Sequence, residues 1–112
     1  MVSELEKKNY IGSLLLIYGN MLSKTTYSRM VDFYLNDLSI TEISGNENVS
    51  RNAVFESLRI GEKELIKCED KLHLKEKYEK INSLLDEIEH EEDKDKMKKL
   101  ISKLKGETQN GI

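Results

Sequence analysis

The chain has 112 residues, the length of one ordinary domain, so we expect one compact core and no separate catalytic domain. Charged residues make up 35% of it, against ~25% in an average domain, and the net charge of −3 excludes a global attraction to nucleic acid or anionic lipid. A single cysteine, Cys68, excludes an internal disulfide framework; with no signal peptide and no apolar run of ~18 residues, we expect a cytoplasmic protein that binds no membrane.

The N-terminal third predicts two helices. Proline is absent and glycine occurs six times, which favours an all-α fold of about five helices. Between Leu5 and Leu22 the apolar residues are denser than one face of a solvated helix allows, so we expect a first helix that is largely buried. Ser23 is a good N-cap for a second helix, which Asn36 and Asp37 end.

Two capped helices separated by a short turn come next. Ser39 and Glu42 have the spacing of a capping box, in which each side chain bonds the other residue's backbone N–H. About eleven residues later Ser50 can cap another helix, whose inward face carries Val54 and Leu58. This order is typical of a helix-turn-helix, which we place at 39–67 within a single domain spanning 1–112.

The C-terminal third is a charged helical extension over 69–105, followed by a frayed tail at 106–112. Residues 69–107 hold twelve acids and ten lysines around apolar residues spaced as in a short heptad: Leu74, Tyr78, Ile81, Leu85 and Ile88. Acidic residues predict a break near 89–93, after which Met97, Leu100 and Leu104 support a last helix. The heptad favours a homodimer or packing against the chain's own N-terminal helices; both remain open.

The stretch from Leu14 to Leu74, about half of the chain, resembles the YlxM family of small bacterial proteins, whose middle is related to region four of sigma factors. The most specific part is Tyr34-Leu35-Asn36-Asp37-Leu38-Ser39 followed by Ser50-Arg51-Asn52-Ala53-Val54. The other matching residues are Leu16, Tyr18-Gly19, Leu22-Ser23-Lys24, Ile40, Glu42-Ile43, Phe55, Glu62-Lys63-Glu64-Leu65 and Lys71-Leu72-His73-Leu74.

The resemblance implies a regulatory or accessory protein of co-translational targeting, because genes of this family neighbour those of the signal recognition particle GTPases. It implies components of that particle as partners. The chain departs from the family between the two helices, where Ser44-Gly45-Asn46-Glu47-Asn48 stands in place of Ala-x-x-Leu-Gly. Asn48 can adopt the left-handed conformation of the glycine, but Glu47 cannot replace a buried leucine, so we expect a short or loosely packed first helix of the motif.

The second helix of such a motif enters the major groove of DNA with its N-terminal side chains on base edges. Since Val54 and Leu58 turn inward, the outward set is Ser50, Arg51, Asn52, Phe55, Glu56 and Arg59. Arg51 suits a phosphate or a guanine edge, Asn52 an adenine and Arg59 a phosphate. Residues 38–67 carry four basic and five acidic side chains, a net charge of −1, which predicts weak or partner-assisted binding of DNA or RNA.

Three functions fit these observations: an accessory protein of the signal recognition particle pathway, a transcriptional regulator that binds DNA directly, and a protein-interaction module whose motif no longer contacts nucleic acid. No catalytic residues, cofactor or metal site are predicted. Glu69 and His73 are one helical turn apart, but neither a second histidine nor a cysteine is spaced to complete a metal site.

Overall fold

The computed structural model describes residues 3–109, which form α-helices, one 3₁₀ turn at Gly19–Met21 and no strand. The helices are α1 (Glu4–Tyr18), α2 (Lys24–Tyr34), α3 (Ile40–Glu47), α4 (Arg51–Leu72), α5 (Leu74–His90) and α6 (Lys94–Gln109). The all-α prediction is confirmed, with six helices in the described range where about five were expected. The chain divides into two compact units, an N-terminal unit (Met1–Leu72) and a hairpin unit (His73–Ile112), where the sequence suggested a single domain.

The core of the N-terminal unit lies between α1, α2, α3 and α4. Its buried apolar side chains are Ile11, Leu14, Leu15, Tyr18, Met30, Ile43, Val54, Leu58 and Leu65. The expectation that the first helix is buried on most sides was wrong for Leu5 and Leu16, which are exposed. The stripe at i, i+3, i+4 and i+7 from Ile11 to Tyr18 is buried, with Gly12 beside it, because one side of the helix meets the other helices.

A buried hydrogen bond joins the end of α1 to the end of α4. The Tyr18 hydroxyl donates to the Glu69 carboxylate across 2.6 Å, and both side chains are more than nine-tenths buried. A carboxylate held this way keeps a partner when it leaves water, which offsets part of the cost of burying it. His73, one helical turn beyond Glu69 in sequence, is exposed and takes no part in this bond.

The hairpin unit consists of α5 and α6, which lie against each other and are joined by residues 91–93. The break predicted near 89–93 is confirmed there. Asp93 caps α6, since its carboxylate accepts from the backbone N–H of Asp95 at 2.8 Å and of Lys96 at 3.2 Å. Helix α6 continues past Gly106 to Gln109, so the first residues of the predicted tail are helical, and residues 110–112 lie outside the described range.

Candidate nucleic-acid interface

Helices α3 and α4 form the predicted helix-turn-helix, and local hydrogen bonds set its turn. The capping box of α3 is present: the Ser39 hydroxyl accepts from the N–H of Glu42 and the Glu42 carboxylate from the N–H of Ser39, each at 3.1 Å. Asn48 ends α3 in the left-handed conformation, with φ 55° and ψ 46°, as its place in the sequence predicted. The Ser50 hydroxyl then accepts from the N–H of Ala53 at 3.0 Å and starts α4.

Arg29 of α2 joins both helices of the motif, which sequence reasoning missed. Its Nε lies 3.1 Å from both carboxylate oxygens of Glu47, and its Nη1 donates to the Ser57 hydroxyl at 2.8 Å and to the Ala53 carbonyl at 3.4 Å. The Arg29 side chain is only 12% exposed. Glu47, which stands where the resemblance expects a leucine, is thus held by a largely buried guanidinium. The helix α3 is short, with eight residues, but its end is fixed by this ion pair.

Of the six predicted contact residues, Ser50 directly precedes α4 and the other five lie on its first three turns. Arg51, Asn52 and Arg59 are exposed, Phe55 is 53% exposed and Glu56 is partly exposed. The hydroxyl of Ser50 is engaged as the helix cap, so it positions the helix. The structure therefore presents Arg51, Asn52 and Phe55 together to solvent next to the turn.

Arg59 differs from Arg51 because a neighbouring carboxylate already binds it. Its Nε lies 3.2 Å from both carboxylate oxygens of Glu56, and its Nη2 lies 3.0 Å from one of them. The hydrogen bond from Arg59 lowers the pKa of Glu56, and the same bond raises the pKa of Arg59. Within residues 3–109 Arg51 has no such ion pair. Of the two arginines in the predicted contact set, Arg51 is thus the one whose guanidinium no carboxylate of the described residues pairs.

The local charge of the motif also changes when the fold is taken into account. Two acids of the 38–67 window pair with cations from outside it: Glu47 with Arg29, and Glu62 with Lys7 at 3.5 Å. Counting these two cations with the window turns its net charge from −1 to +1. The sequence window therefore overestimates how acidic this surface is.

Phe55 also borders an open groove of about 630 Å³ in the N-terminal unit. Phe33, Ile40 and Leu58 supply its apolar lining, while charged residues of α1 and α4 supply its rim. On one side of the groove the Tyr34 hydroxyl donates to Glu62 at 2.5 Å. Burial is the largest cause that raises the pKa of Tyr34, and this hydrogen bond is the second. The groove is a second feature that sequence periodicity does not reveal, since its lining comes from four helices.

The fold and the turn define a helix-turn-helix protein. Residues 5–105 match the family model described as "Putative helix-turn-helix protein, YlxM / p13 like". The chain belongs to this family, UPF0122, as the resemblance in its sequence indicated.

Its relatives include UPF0122 proteins from several bacteria. One from Malacoplasma penetrans is 39% identical over 87 residues, which are 70% of this chain and 81% of the relative. One from Fusobacterium nucleatum subsp. nucleatum is 34% identical over 94 residues, 84% of this chain and 91% of the relative. One from Lactococcus lactis subsp. cremoris is 36% identical over 101 residues, which are 90% of this chain and 89% of the relative.

The description of the family names a helix-turn-helix protein and no catalytic activity. Residues 3–109 contain no group of three or more histidine, cysteine, aspartate or glutamate side chains placed to hold a metal ion. The described helices also include none that combines the length and apolarity needed to cross a bilayer.

Proposed function

We propose that this chain is a non-enzymatic regulatory protein that binds duplex DNA by placing the first turns of α4 in the major groove. The observation that supports the proposal is the exposure of Arg51, Asn52 and Phe55 beside a turn fixed by Asn48 and Arg29. In this proposal Arg51 contacts a phosphate or a guanine edge, Asn52 pairs with adenine, and Phe55 packs on a thymine methyl group.

The binding is weak for one copy of the chain. Each neutralised phosphate contributes to affinity through the release of counterions, and the α4 surface offers few unpaired cations. Helix-turn-helix proteins usually gain affinity by binding two half-sites as a dimer. We therefore include a homodimer in the proposed function, with one motif from each copy on the DNA.

The test is fluorescence anisotropy of labelled duplex DNA over a range of salt concentrations. We expect affinity to fall steeply with salt, Arg51→Ala to weaken binding about fivefold or more, and the slope of log K against log salt to shrink by about 1. Lys71→Ala removes an exposed cation from the last turn of α4 and serves as the matched control, with little effect. Binding that ignores salt, or equal losses in both variants, contradicts the proposal.

Glu56 provides a second arm of the same experiment. Glu56→Gln removes the carboxylate that occupies Arg59 and leaves a neutral side chain of the same size. We expect this variant to bind DNA more tightly than the wild type, because a negative charge leaves the contact face and a guanidinium becomes available. A loss of affinity in Glu56→Gln indicates that Glu56 itself contacts the nucleic acid.

An accessory role in the signal recognition particle pathway is a finer proposal, supported by the sequence resemblance. Its partners are the GTPase of that particle or the RNA that the particle contains. The test mixes the purified chain with each component and measures co-elution on a sizing column. The absence of a complex with either component at micromolar concentrations removes this proposal and leaves the DNA-binding proposal untouched.

The groove beside Phe55 favours one alternative, a module that binds an apolar side chain of another protein. Its lining by Phe33, Ile40, Phe55 and Leu58 gives such a side chain a place to bury. This alternative expects Phe55→Ala to abolish partner binding and Arg51→Glu to leave it intact. The DNA-binding proposal expects Arg51→Glu to be the more damaging change of the two.

A further inference from the structure

The hairpin unit has an apolar surface that its own two helices do not cover. No described side chain of α5 or α6 is buried, although both helices carry a regular apolar stripe. Leu84, Ile88 and Leu100 are partly buried. Tyr78 and Leu85 on α5 remain 39% and 47% exposed, and Ile101 on α6 remains 37% exposed.

These three exposed side chains share one side of the hairpin. Tyr78 and Leu85 are seven residues apart, which places them two turns apart on one line along α5. Seen along α5 from its first residue, Tyr78 and Leu85 lie clockwise of the stripe that packs against α6. On the antiparallel α6, the same side of the hairpin corresponds in this view to positions counter-clockwise of the packed stripe, and Ile101 has such a position. The opposite side is a groove whose lining residues are Glu76, Glu79, Lys80, Ser83, Leu84, Lys103, Gly106 and Glu107, most of them polar or charged. The exposed side chains of Tyr78, Leu85 and Ile101 thus lie on the other side of the hairpin from this groove.

The two helices of the hairpin carry opposite charge. Helix α5 has three lysines and five acids, a net charge of −2, while α6 has six lysines and two acids, a net charge of +4. An α5 helix therefore attracts an α6 helix and repels another α5. Two α6 helices repel each other more strongly than two α5 helices, because their net charges are larger.

We infer that the apolar side of the hairpin binds the same side of a second copy, with α5 of each chain against α6 of the other. The product is a four-helix bundle whose inner layer includes Tyr78, Leu85 and Ile101. The inference rests on the homodimer of the proposed function and specifies where and in which orientation that dimer forms.

Charge and helix direction select this orientation from two face-to-face arrangements. With the two-fold axis parallel to the helices, every neighbouring pair is an antiparallel α5–α6 pair and joins net −2 to net +4. With the axis perpendicular to the helices, α5 faces α5 and α6 faces α6, so two helices of net +4 lie side by side. The first arrangement is also the ordinary up-down-up-down bundle.

Size gives a second reason for a second copy. The hairpin unit, His73–Ile112, lies at the ~40 residues below which a chain usually needs oligomerisation or cross-links for an independent core. When two hairpins stack on their apolar sides, four helices surround the apolar side chains that a single hairpin leaves half exposed. A bundle of this kind hides apolar area that a two-helix hairpin leaves in water.

The first experiment measures the mass of the full chain by light scattering and sedimentation without nucleic acid. We expect a dimer for the wild type and at least a tenfold larger dimer dissociation constant for Leu85→Asp. Ser83→Asp introduces the same charge on the polar side of α5 and is the matched control, with an unchanged mass. Far-ultraviolet circular dichroism checks that both variants keep their helices.

The second experiment tests the orientation by cross-linking in a Cys68→Ser background. Leu85 lies five residues before the end of α5 and Ile101 seven residues after the start of α6, so the two positions are at nearly the same height in the bundle. A mixture of Leu85→Cys and Ile101→Cys chains, each with its own tag, should form the mixed disulfide in preference to the 85–85 product.

Three results overturn the inference. The first is a wild-type chain that stays monomeric up to ~100 μM, well above the micromolar range of a functional dimer. The others are a folded Leu85→Asp variant that dimerises as well as Ser83→Asp, and a cross-linked product in which the 85–85 disulfide predominates. Failure of DNA binding in the anisotropy experiment is a separate outcome, because the mass is measured without nucleic acid. A dimer that binds no DNA supports the interface and contradicts only the proposed function.

Discussion

The N-terminal unit and the hairpin unit are both helical, but they differ in how they exclude water. In the N-terminal unit four helices surround a core in which Leu14, Met30 and Leu65 are fully buried. In the hairpin unit two helices of 17 and 16 residues share an apolar stripe and bury no described side chain completely. Amphipathic helices of similar length thus give a closed core only when enough faces meet.

The difference fits the separate tasks that we propose for the two units. A recognition helix must be held in a fixed direction, and α4 is held by the core, by Arg29 and by the Tyr18–Glu69 hydrogen bond. A surface that joins two copies must instead leave apolar area exposed in each copy, as α5 and α6 do.

The largest expected effect is on stability, from shortening a leucine in each unit. Leu65→Ala in α4 should lower the free energy of unfolding by about 2–5 kcal/mol, because it removes a fully buried side chain and leaves a cavity. Leu84→Ala in α5 removes the same atoms from a partly exposed site and should cost less than half as much. Urea unfolding followed by circular dichroism measures both; equal losses mean that the hairpin has a closed core after all.

The next effect concerns the ion pair that fixes the turn. Arg29→Met should cost about 2–3 kcal/mol, because Glu47 and Ser57 lose a partly buried partner. Adding Glu47→Leu, which restores the leucine of the family pattern, should recover part of that loss, since two apolar groups then replace the pair. A double-mutant cycle of unfolding free energies measures the coupling, and purely additive losses show that the pair contributes nothing.

The features predicted from sequence are those set by short-range chemistry. The capping box of Ser39 and Glu42, the cap at Ser50 and the left-handed Asn48 each depend on residues within about five positions along the chain. Hydrogen bonding and φ/ψ preferences decide such features locally, so one sequence is enough to find them.

The features that sequence reasoning missed connect distant residues. Arg29 and Glu47 are 18 positions apart, and Lys7 and Glu62 are 55 positions apart, so no local pattern links them. For the first pair the sequence offered only an acid where the resemblance expects a leucine; Glu47 stays partly exposed, so its burial alone did not demand a cation. The groove beside Phe55 depends on four helices meeting and has no comparable signal. The charge pattern marks the extension from residue 69 onward, but a one-dimensional pattern does not say which faces close, so it does not show that the extension forms a compact unit of its own.

The smallest effect comes from two glycines, one in each unit. A Cβ at Gly61 would lie 2.7 Å from the Met30 sulfur, where α2 approaches α4, so Gly61→Ala should cost about 1–3 kcal/mol as the buried methionine shifts. A Cβ at Gly106 in α6 meets nothing within 4 Å, and Gly106→Ala should stabilise the helix by about 0.5–1 kcal/mol, the usual gain of alanine over glycine. Thermal unfolding of the two variants measures both signs. If Gly61→Ala is also stabilising, Met30 repacks without strain and the core of the N-terminal unit is looser than its burial indicates.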